Sequence, residues 1–288
     1  MIFVNRLVGD ILADDIRMPV RYSALMQPGT QRTNLVNVLR FMLSGEGRAR
    51  VLARKLRKRL WEGPGRFSPA QNAAWLDANR VDPATIANKF DPDLWRAAVD
   101  FGRRTRARAE PILTSVPFDM GEGGDVAFLY WLARYMKPST IIETGVSAGW
   151  SSQAFLSALA ENGSGRLYSS DFPYFRVKQP EQYIGLVVEP ALKTNWELHV
   201  DGDENALPRI LDSVPSVDLF HYDSDKSVSG REFAVGQVRR KLSERGIIIV
   251  DDIADNSWFR EYVESAGLSF AVLGRSGLIG KIENIHPA

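Results

Sequence analysis

The segment from residue 141 to residue 152 combines residue types that suit a nucleotide-binding loop. Its sequence is IIETGVSAGWSS, in which a β-branched run is followed by an acid, two glycines and a pair of hydroxyls. Glycine has no Cβ, so Gly145 and Gly149 allow the backbone to approach a ligand closely. The hydroxyl pair begins an amphipathic stretch, and the N–H groups at the start of a helix attract anionic groups. The pattern predicts a strand, a glycine loop and a helix that bind a nucleotide-like cofactor.

Acidic residues stand where the predicted strands end, at Glu143, Asp171, Asp223 and Asp251. In an open α/β sheet, ligands bind beyond the carboxyl ends of the strands. Asp171 closes the second predicted strand, about 20 residues or more beyond the glycine loop, where an acid would bind ribose hydroxyls. The dinucleotide fingerprint G-x-G-x-x-G has a middle glycine, and Ser147 replaces it here. The two features together favour a nucleoside cofactor over a dinucleotide.

These candidate residues lie in a chain whose composition excludes several classes of protein. Its 288 residues are 44% hydrophobic and 25% charged, as in ordinary globular domains. The chain has no cysteine, which excludes a disulfide framework, a thiolate metal site and a cysteine nucleophile. No apolar run is long enough to span a bilayer, and the first residues lack a signal-peptide pattern. We therefore expect a cytoplasmic protein without a membrane span.

Charge divides the chain into two regions. Residues 1–110 contain 20 basic and 11 acidic residues, a net charge of +9, and the remainder contains 16 and 24, a net charge of −8. We expect a helical N-terminal region over 1–115, acting as a lid, a substrate wall or a dimer contact, and a catalytic core over 116–288. The basic stretch 48–61 is interpreted as the solvated face of an amphipathic helix, with a nucleic-acid or membrane contact as the alternative.

Strands and helices alternate from about residue 120, which predicts an α/β fold with a doubly wound, mostly parallel sheet. The pattern predicts strands over 140–143, 166–170, 196–200, 217–222 and 246–250, and a closing hairpin over 270–273 and 278–282. It predicts helices over 127–136, 151–160, 206–211, 229–242 and 258–265. His221 lies within a predicted strand and is interpreted as a core histidine.

Residues 118–284 resemble the class I S-adenosylmethionine-dependent methyltransferases. The segment from Glu143 to Ser151 is similar to the first motif of that family, Asp171 to its ribose-binding acid, and Gly202-Asp203 to the stretch beside adenine. The resemblance implies a seven-stranded sheet with an antiparallel last strand. It also implies S-adenosylmethionine as cofactor, held by Glu143, Gly145, Ser147, Gly149, Ser151, Asp171, Gly202 and Asp203. Gly121–Gly124 would cover the methionine end of the cofactor.

A finer resemblance links the chain to the cation-dependent catechol O-methyltransferase-like enzymes. It rests on VDLFHYDSDK at 217–226 and GIIIVDD at 246–252. In that group, side chains after strands four and five bind a divalent metal, which implies Asp223, Asp251 and Asp252 as ligands here. The resemblance also implies Lys226 as the catalytic base. The group commonly has asparagine at the position of Asp252, and many relatives have histidine at that of Lys226.

The acids fit this chemistry on physical grounds as well. Neighbouring strands lie roughly 4.8 Å apart, so acids at the ends of two adjacent strands converge. Close carboxylates repel one another unless a cation neutralises them, and an all-oxygen ligand set favours Mg²⁺, Mn²⁺ or Ca²⁺ over zinc. The metal would bind the acceptor hydroxyl, and Lys226, its pKa lowered by the cation, would take the proton. The structural alternatives are a turn or helix cap for Asp251-Asp252 and a solvated or ion-paired Lys226.

Three functions compete on this basis. The favoured one is a methyltransferase that transfers a methyl group to the hydroxyl of a small molecule with the help of Mg²⁺ or another divalent cation. The second is a metal-independent O- or N-methyltransferase in which the acids are structural. The third is a cofactor-binding protein that contacts RNA or a partner through its basic helix, although nucleic acid is the less favoured ligand. A homo-oligomer is compatible with all three functions. A nicotinamide-dependent dehydrogenase fits the sequence least, because the glycine spacing differs from the dinucleotide fingerprint.

Overall fold

A computed structural model of the chain describes residues 35–43, 66–121, 123–172 and 180–282. Its helices are α1 (Leu35–Leu43), α2 (Pro69–Ala78), α3 (Pro83–Phe90), α4 (Pro92–Thr114), α5 (Val126–Met136), α6 (Trp150–Asn162), α7 (Asp203–Ser213), α8 (Val228–Arg239) and α9 (Trp258–Ser265). Its strands are β1 (Thr140–Thr144), β2 (Arg166–Ser170), β3 (Trp196–His199), β4 (Val217–Tyr222), β5 (Leu242–Val250), β6 (Phe270–Leu273) and β7 (Ser276–Ile279). The basic stretch 48–61 lies outside the described residues.

The described strands form one seven-stranded sheet in the order β3-β2-β1-β4-β5-β7-β6. Strands β1 to β5 are parallel, and β7 runs antiparallel to both of its neighbours. The order reverses between β1 and β4, which is the point where open α/β sheets bind ligands. The predicted fold, a doubly wound and mostly parallel seven-stranded sheet, is confirmed.

Helices cover both faces of the sheet, as a parallel sheet requires. Consecutive residues of a strand point to opposite faces, and in β1 both faces are buried: Ile141 lies in the core with α4, α5 and α6, and Ile142 in the core with α7, α8 and α9. This explains why β1 and β5 read as continuous apolar runs rather than alternating ones.

Several element boundaries differ from the sequence prediction, including that of the last strand, which is Ser276–Ile279 instead of 278–282. Strand β5 begins at Leu242 instead of residue 246, and α8 ends at Arg239, because Leu242 pairs with Val217 across an irregularity in the β4 register. Helix α7 begins at Asp203 instead of residue 206, so the predicted adenine-contacting acid is the first residue of a helix.

Helices α2 and α4 pack directly on the layers of the core. On α4, Phe101 is buried and stacks on Tyr130 of α5 with ring centroids 4.1 Å apart. On α2, Trp75 stacks on Phe270 of β6 at 5.2 Å and meets Phe259 of α9 edge-on. The boundary near residue 115 stays a prediction. Among the described helices, none is both long and apolar enough to cross a membrane.

We predict that Phe101→Ala destabilises the whole domain, because it removes a ring that stacks inside the core shared by α4 and α5. The expected loss is about 3 kcal/mol in the free energy of unfolding. Val99→Ala on the same helix is the matched control, since Val99 is 40% exposed, and it should change stability by no more than about 0.5 kcal/mol. Urea unfolding measures both. A Phe101→Ala variant as stable as the Val99→Ala variant would show that α4 is not part of the cooperative unit.

Candidate active site

The loop between β1 and α6 packs against the end of β4. Gly145 and Gly149 both have left-handed backbones, with φ of +81° and +94°. A Cβ added to Gly145 would lie 2.2 Å from the carbonyl oxygen of Asp223, a distance that no side chain tolerates. Ser147 also has a positive φ, +49°, which is uncommon for a residue with a side chain. The glycine loop therefore directly adjoins the strand end that carries Asp223.

Asp171 binds the glycine loop itself. One of its carboxylate oxygens accepts hydrogen bonds from the N–H groups of Val146 at 3.2 Å and Ser147 at 2.8 Å, and the other accepts from the N–H of Phe172 at 2.6 Å. Burial raises the pKa of Asp171 to about 7, although these hydrogen bonds act in the opposite direction. Asp171 is thus placed at the loop, and its contact with ribose stays a prediction.

Asp203 connects two strand ends. Its carboxylate accepts a hydrogen bond from the hydroxyl of Ser170 at 2.5 Å and another from the hydroxyl of Ser224. Gly202, with φ of +84°, turns the chain into α7 immediately before it. These bonds hold Asp203 at the carboxyl edge of the sheet, near Asp171, and its place beside adenine stays a prediction.

Glu143 is fully buried, and its carboxylate bonds within the protein. One oxygen accepts from the hydroxyls of Ser152 at 2.6 Å and Ser169 at 2.8 Å. Ser151, the hydroxyl predicted to contact the cofactor, is buried in the first turn of α6 beside them. The cofactor contacts of Glu143 and Ser151 therefore stay predictions.

The segment before α5 lies across both halves of the site. The hydroxyl of Ser147 donates to the carbonyl of Met120 at 2.7 Å. A Cβ on Gly123 would fall 2.5 Å from the ring of Trp150, and one on Gly124 would fall 3.4 Å from a carboxylate oxygen of Asp251. This segment was predicted to cover the cofactor, and it adjoins the glycine loop on one side and the acids on the other.

The predicted metal ligands converge on protein cations. The ammonium of Lys226 binds the carboxylate of Asp223 and lies 3.1 Å from a carboxylate oxygen of Asp252. The other oxygen of Asp252 binds the guanidinium of Arg275. Arg231, which is fully buried, donates to the backbone carbonyl of Asp252 at 2.7 Å and holds this loop in place. The structure therefore places Asp223, Lys226 and Asp252 together, as predicted.

Asp251 faces a buried histidine. Its carboxylate accepts a hydrogen bond from the hydroxyl of Ser276 and lies 3.4 Å from Nε2 of His221. The other ring nitrogen of His221 lies 3.8 Å from the carboxylate of Glu143. At these separations the contacts are ionic rather than full hydrogen bonds. His221 was predicted to lie in the core, and it does, but between two carboxylates.

Strand register explains this arrangement of charges. Glu143 pairs with His221, and His221 pairs with Ile249, two residues before Asp251, so all three side chains share one face of the sheet. Burial alone would lower the pKa of His221, but attraction to Asp251 and Glu143 outweighs burial and raises the pKa to about 10. Burial raises the pKa of Asp251, and His221 reverses this and lowers the pKa to about 2. The raised pKa favours the protonated imidazole between these two carboxyl groups.

The carboxylates, as they are placed, do not fit a divalent cation. Lys226, Arg275 and Ser276 already bind their oxygens. Across the described ranges, no three acidic or imidazole side chains converge closely enough to hold a metal ion. The divalent-cation site stays a prediction.

Lys226 differs from the expected base in its protonation. Burial would lower the pKa of Lys226, but attraction to Asp223 and Asp252 outweighs burial and raises the pKa above its ordinary value. In this arrangement Lys226 keeps its proton. Asp223 is the better candidate for accepting a proton. Burial raises the pKa of Asp223 to about 6, although the attraction of Lys226 acts in the opposite direction.

Sequence reasoning missed several residues that hold the site. They are Ser152, Ser169, His221, Arg231, Arg275 and Ser276. Ser169 and Ser276 lie on strands, Ser152 and Arg231 on helices, and Arg275 in a turn, and nothing in their own spacing indicates which acid they bind. For His221 a signal existed, since a histidine in an otherwise apolar strand between two acid-terminated strands needs a charged partner.

Residues 142–253 match a family model described as a methyltransferase domain. The strand order, with its antiparallel β7, is the one that the resemblance implied. Over these residues the chain is similar to a methyltransferase domain. The predicted resemblance to methyltransferases is confirmed over this range. No curated protein matches the chain.

Several solved structures are similar to the chain at low sequence identity. The O-methyltransferase TomG from Streptomyces achromogenes, solved with SAM, is 17% identical, and the match covers 64% of this chain and 89% of that chain with a TM-score of 0.45. The O-methyltransferase from Bacillus cereus, solved with SAH, is 12% identical over 72% and 100% of the two chains, with a TM-score of 0.45. The SAH-bound methyltransferase PaMTH1 of Podospora anserina is 15% identical over 76% and 99%, with a TM-score of 0.44.

We predict that Gly145→Ala disrupts the site, because the new Cβ meets the backbone of β4 and the backbone conformation is left-handed. The expected loss is about 3 kcal/mol or more in the free energy of unfolding. Gly163→Ala is the matched control: Gly163 also has a left-handed φ, +72°, but nothing lies within 4 Å of its added Cβ. It should lose only about 1 kcal/mol. Chemical denaturation measures the two losses, and equal values would contradict the close approach of the loop to β4.

Proposed function

We propose that this protein is an S-adenosylmethionine-dependent O-methyltransferase that acts on a hydroxylated small molecule. One observation carries the proposal: Gly145 of the cofactor loop packs on the backbone of Asp223, which begins the acid cluster. A methyl donor at the loop and an acceptor hydroxyl at the cluster would therefore be neighbours. Holding two reactants in this way can supply a large part of the rate acceleration of such a transfer.

The proposed cofactor site consists of the glycine loop, Asp171 and Asp203. Asp171 would bind the ribose hydroxyls while it holds the loop, and Asp203 would lie beside the adenine. S-adenosylmethionine supplies an electrophilic methyl group on a sulfonium. In the proposal, the glycines of the loop leave room for the cofactor to approach the backbone. The segment that carries Gly123 and Gly124 excludes water from the reacting groups.

The proposed acceptor site is the cluster of Asp223, Lys226 and Asp252. During transfer the bond between carbon and sulfur breaks as the bond between carbon and the acceptor oxygen forms, and the hydroxyl proton passes to the carboxylate of Asp223. Lys226 is protonated in this arrangement, so its proposed role is to hold the oxygen rather than to remove the proton. The sequence prediction added Mg²⁺ to this reaction. The carboxylates as placed do not fit it, and no step of the proposed reaction uses it.

The cofactor half of the proposal predicts that S-adenosylmethionine binds in isothermal calorimetry and that Asp171→Asn weakens the binding at least about tenfold, because an amide is a poorer acceptor for two hydroxyls. Asp212→Asn is the matched control, since Asp212 is an exposed acid on α7, and it should bind as the unchanged protein does. If Asp171→Asn is folded and binds equally well, the proposed ribose contact is wrong.

The acceptor half predicts that Asp223→Asn lowers kcat about 100-fold or more, because proton acceptance is lost, and leaves S-adenosylmethionine affinity unchanged. The assay follows formation of S-adenosylhomocysteine with an acceptor found by screening phenols, catechols and sugar hydroxyls. Asp100→Asn on α4 is the control, since Asp100 pairs only with the surface residue Arg103 among the described contacts. Methylation confined to amines would refute the choice of oxygen as the acceptor atom.

A further inference from the structure

The side chain of Lys226 supplies a positive charge within the acid cluster. The ammonium of Lys226 contacts both Asp223 and Asp252, two of the three side chains predicted to ligate a divalent metal. It thus occupies the space between the carboxylates in which a bound metal would have to lie. Lys226 is only 26% exposed at its side chain, so much of its charge is screened by these acids rather than by water.

The backbone on both sides of Lys226 is fixed. The carbonyl of Lys226 accepts a hydrogen bond from the side-chain amide of Asn256 at 2.8 Å. The next residue, Ser227, caps α8 by accepting from the N–H of Gly230 at 3.0 Å. On the other side, Asp225 packs on Gly230, where an added Cβ would lie 2.7 Å from its carboxylate carbon. The stem of Lys226 therefore starts from a rigid turn, which limits where its ammonium can reach.

The remaining carboxylate oxygens also have partners from the chain. Arg275 binds the second oxygen of Asp252, and Ser276 binds Asp251, whose other oxygen faces His221. Lys226 and Arg275 are formal cations, and each lies on a carboxylate of the cluster. Repulsion among the three acids is therefore relieved by side chains of the protein itself.

We infer that the Lys226 ammonium replaces the divalent cation in this protein and holds the acceptor oxygen in its place. An ammonium has three N–H donors, and the two carboxylates use two of them. The third donor binds the acceptor hydroxyl and stabilises the negative charge that develops on its oxygen as Asp223 takes the proton. The role of the acceptor rests on the proposed function, but the replacement of the metal does not.

The inference has a test that is independent of methyl transfer. Mn²⁺ binding is measured by electron paramagnetic resonance on the full chain, for the unchanged protein and for Lys226→Ala. The unchanged protein should bind Mn²⁺ no better than at about 1 mM, the weak end of carboxylate sites. Lys226→Ala uncovers the carboxylates and should bind one Mn²⁺ at least about tenfold more tightly. Adding Asp223→Asn to Lys226→Ala should abolish this gain.

Three further measurements separate the outcomes. Lys193→Ala, which removes an exposed lysine before β3, should leave Mn²⁺ binding unchanged. Lys226→Met keeps an unbranched apolar stem and provides the same test if Lys226→Ala does not fold. Methyl transfer by the unchanged protein should proceed at the same rate in EDTA and in Mg²⁺.

Tight Mn²⁺ binding by the unchanged protein that Asp223→Asn abolishes would overturn the inference, and so would a folded Lys226 variant with no gain in Mn²⁺ affinity. Activity that EDTA abolishes and Mg²⁺ restores would overturn it as well. If no methyl transfer to any acceptor is found, the proposed function fails while the Mn²⁺ result still decides the role of Lys226.

Discussion

The close approach of the β1–α6 loop to the end of β4 is the constraint on which the site depends. Gly145 can lie on the carbonyl of Asp223 only because it has no side chain. That single contact sets the distance between the two regions proposed to bind the cofactor and the acceptor. The contact is possible because β1 and β4 are neighbours in the sheet, although two strands separate them in sequence.

A second constraint is that the carboxylate charges at this edge of the sheet must be compensated. Acids close four of the parallel strands or follow them directly, and those that are buried are costly charges unless they have a partner. The chain supplies those partners in two ways. Backbone N–H groups and hydroxyls bind Asp171 and Asp203, whereas protonated side chains bind Asp223, Asp251 and Asp252. Among the described contacts, Asp171 and Asp203 are therefore bound by neutral donors, whereas the charges of Asp223, Asp251 and Asp252 are compensated by cations of the protein.

The fold was predictable because its signals are local and periodic. The buried parts of β1 and β5 are apolar runs, and an acid lies within one residue of the end of each strand. The start of β5 was not predictable, because pairing with β4, and not the sequence of 242–245, makes that stretch extended. Tertiary pairing overrides local preference in such cases.

The proximity of some candidate residues was predictable, but their interactions were not. The strand-end pattern and the family resemblance together predicted that Asp223, Lys226 and Asp252 lie close to one another. It could not indicate that Lys226 lies between the acids with a raised pKa, because that depends on side-chain directions and burial. His221, Arg231 and Arg275 were missed for the same reason, since their partners are distant in sequence and are selected by the register and the loops.

The buried line of Glu143, His221 and Asp251 has a consequence for how relatives of this protein diverge. Glu143 lies on β1, His221 on β4 and Asp251 directly after β5, and none is more than 8% exposed. Replacing His221 alone by an apolar residue would leave two buried carboxylates without the cation they share, at a cost of about 3–5 kcal/mol. Evolutionary replacement of His221 therefore requires a paired substitution. In a family alignment, the residues at 143, 221 and 251 should covary, with apolar residues at 221 accompanied by loss of an acid at one of the other two.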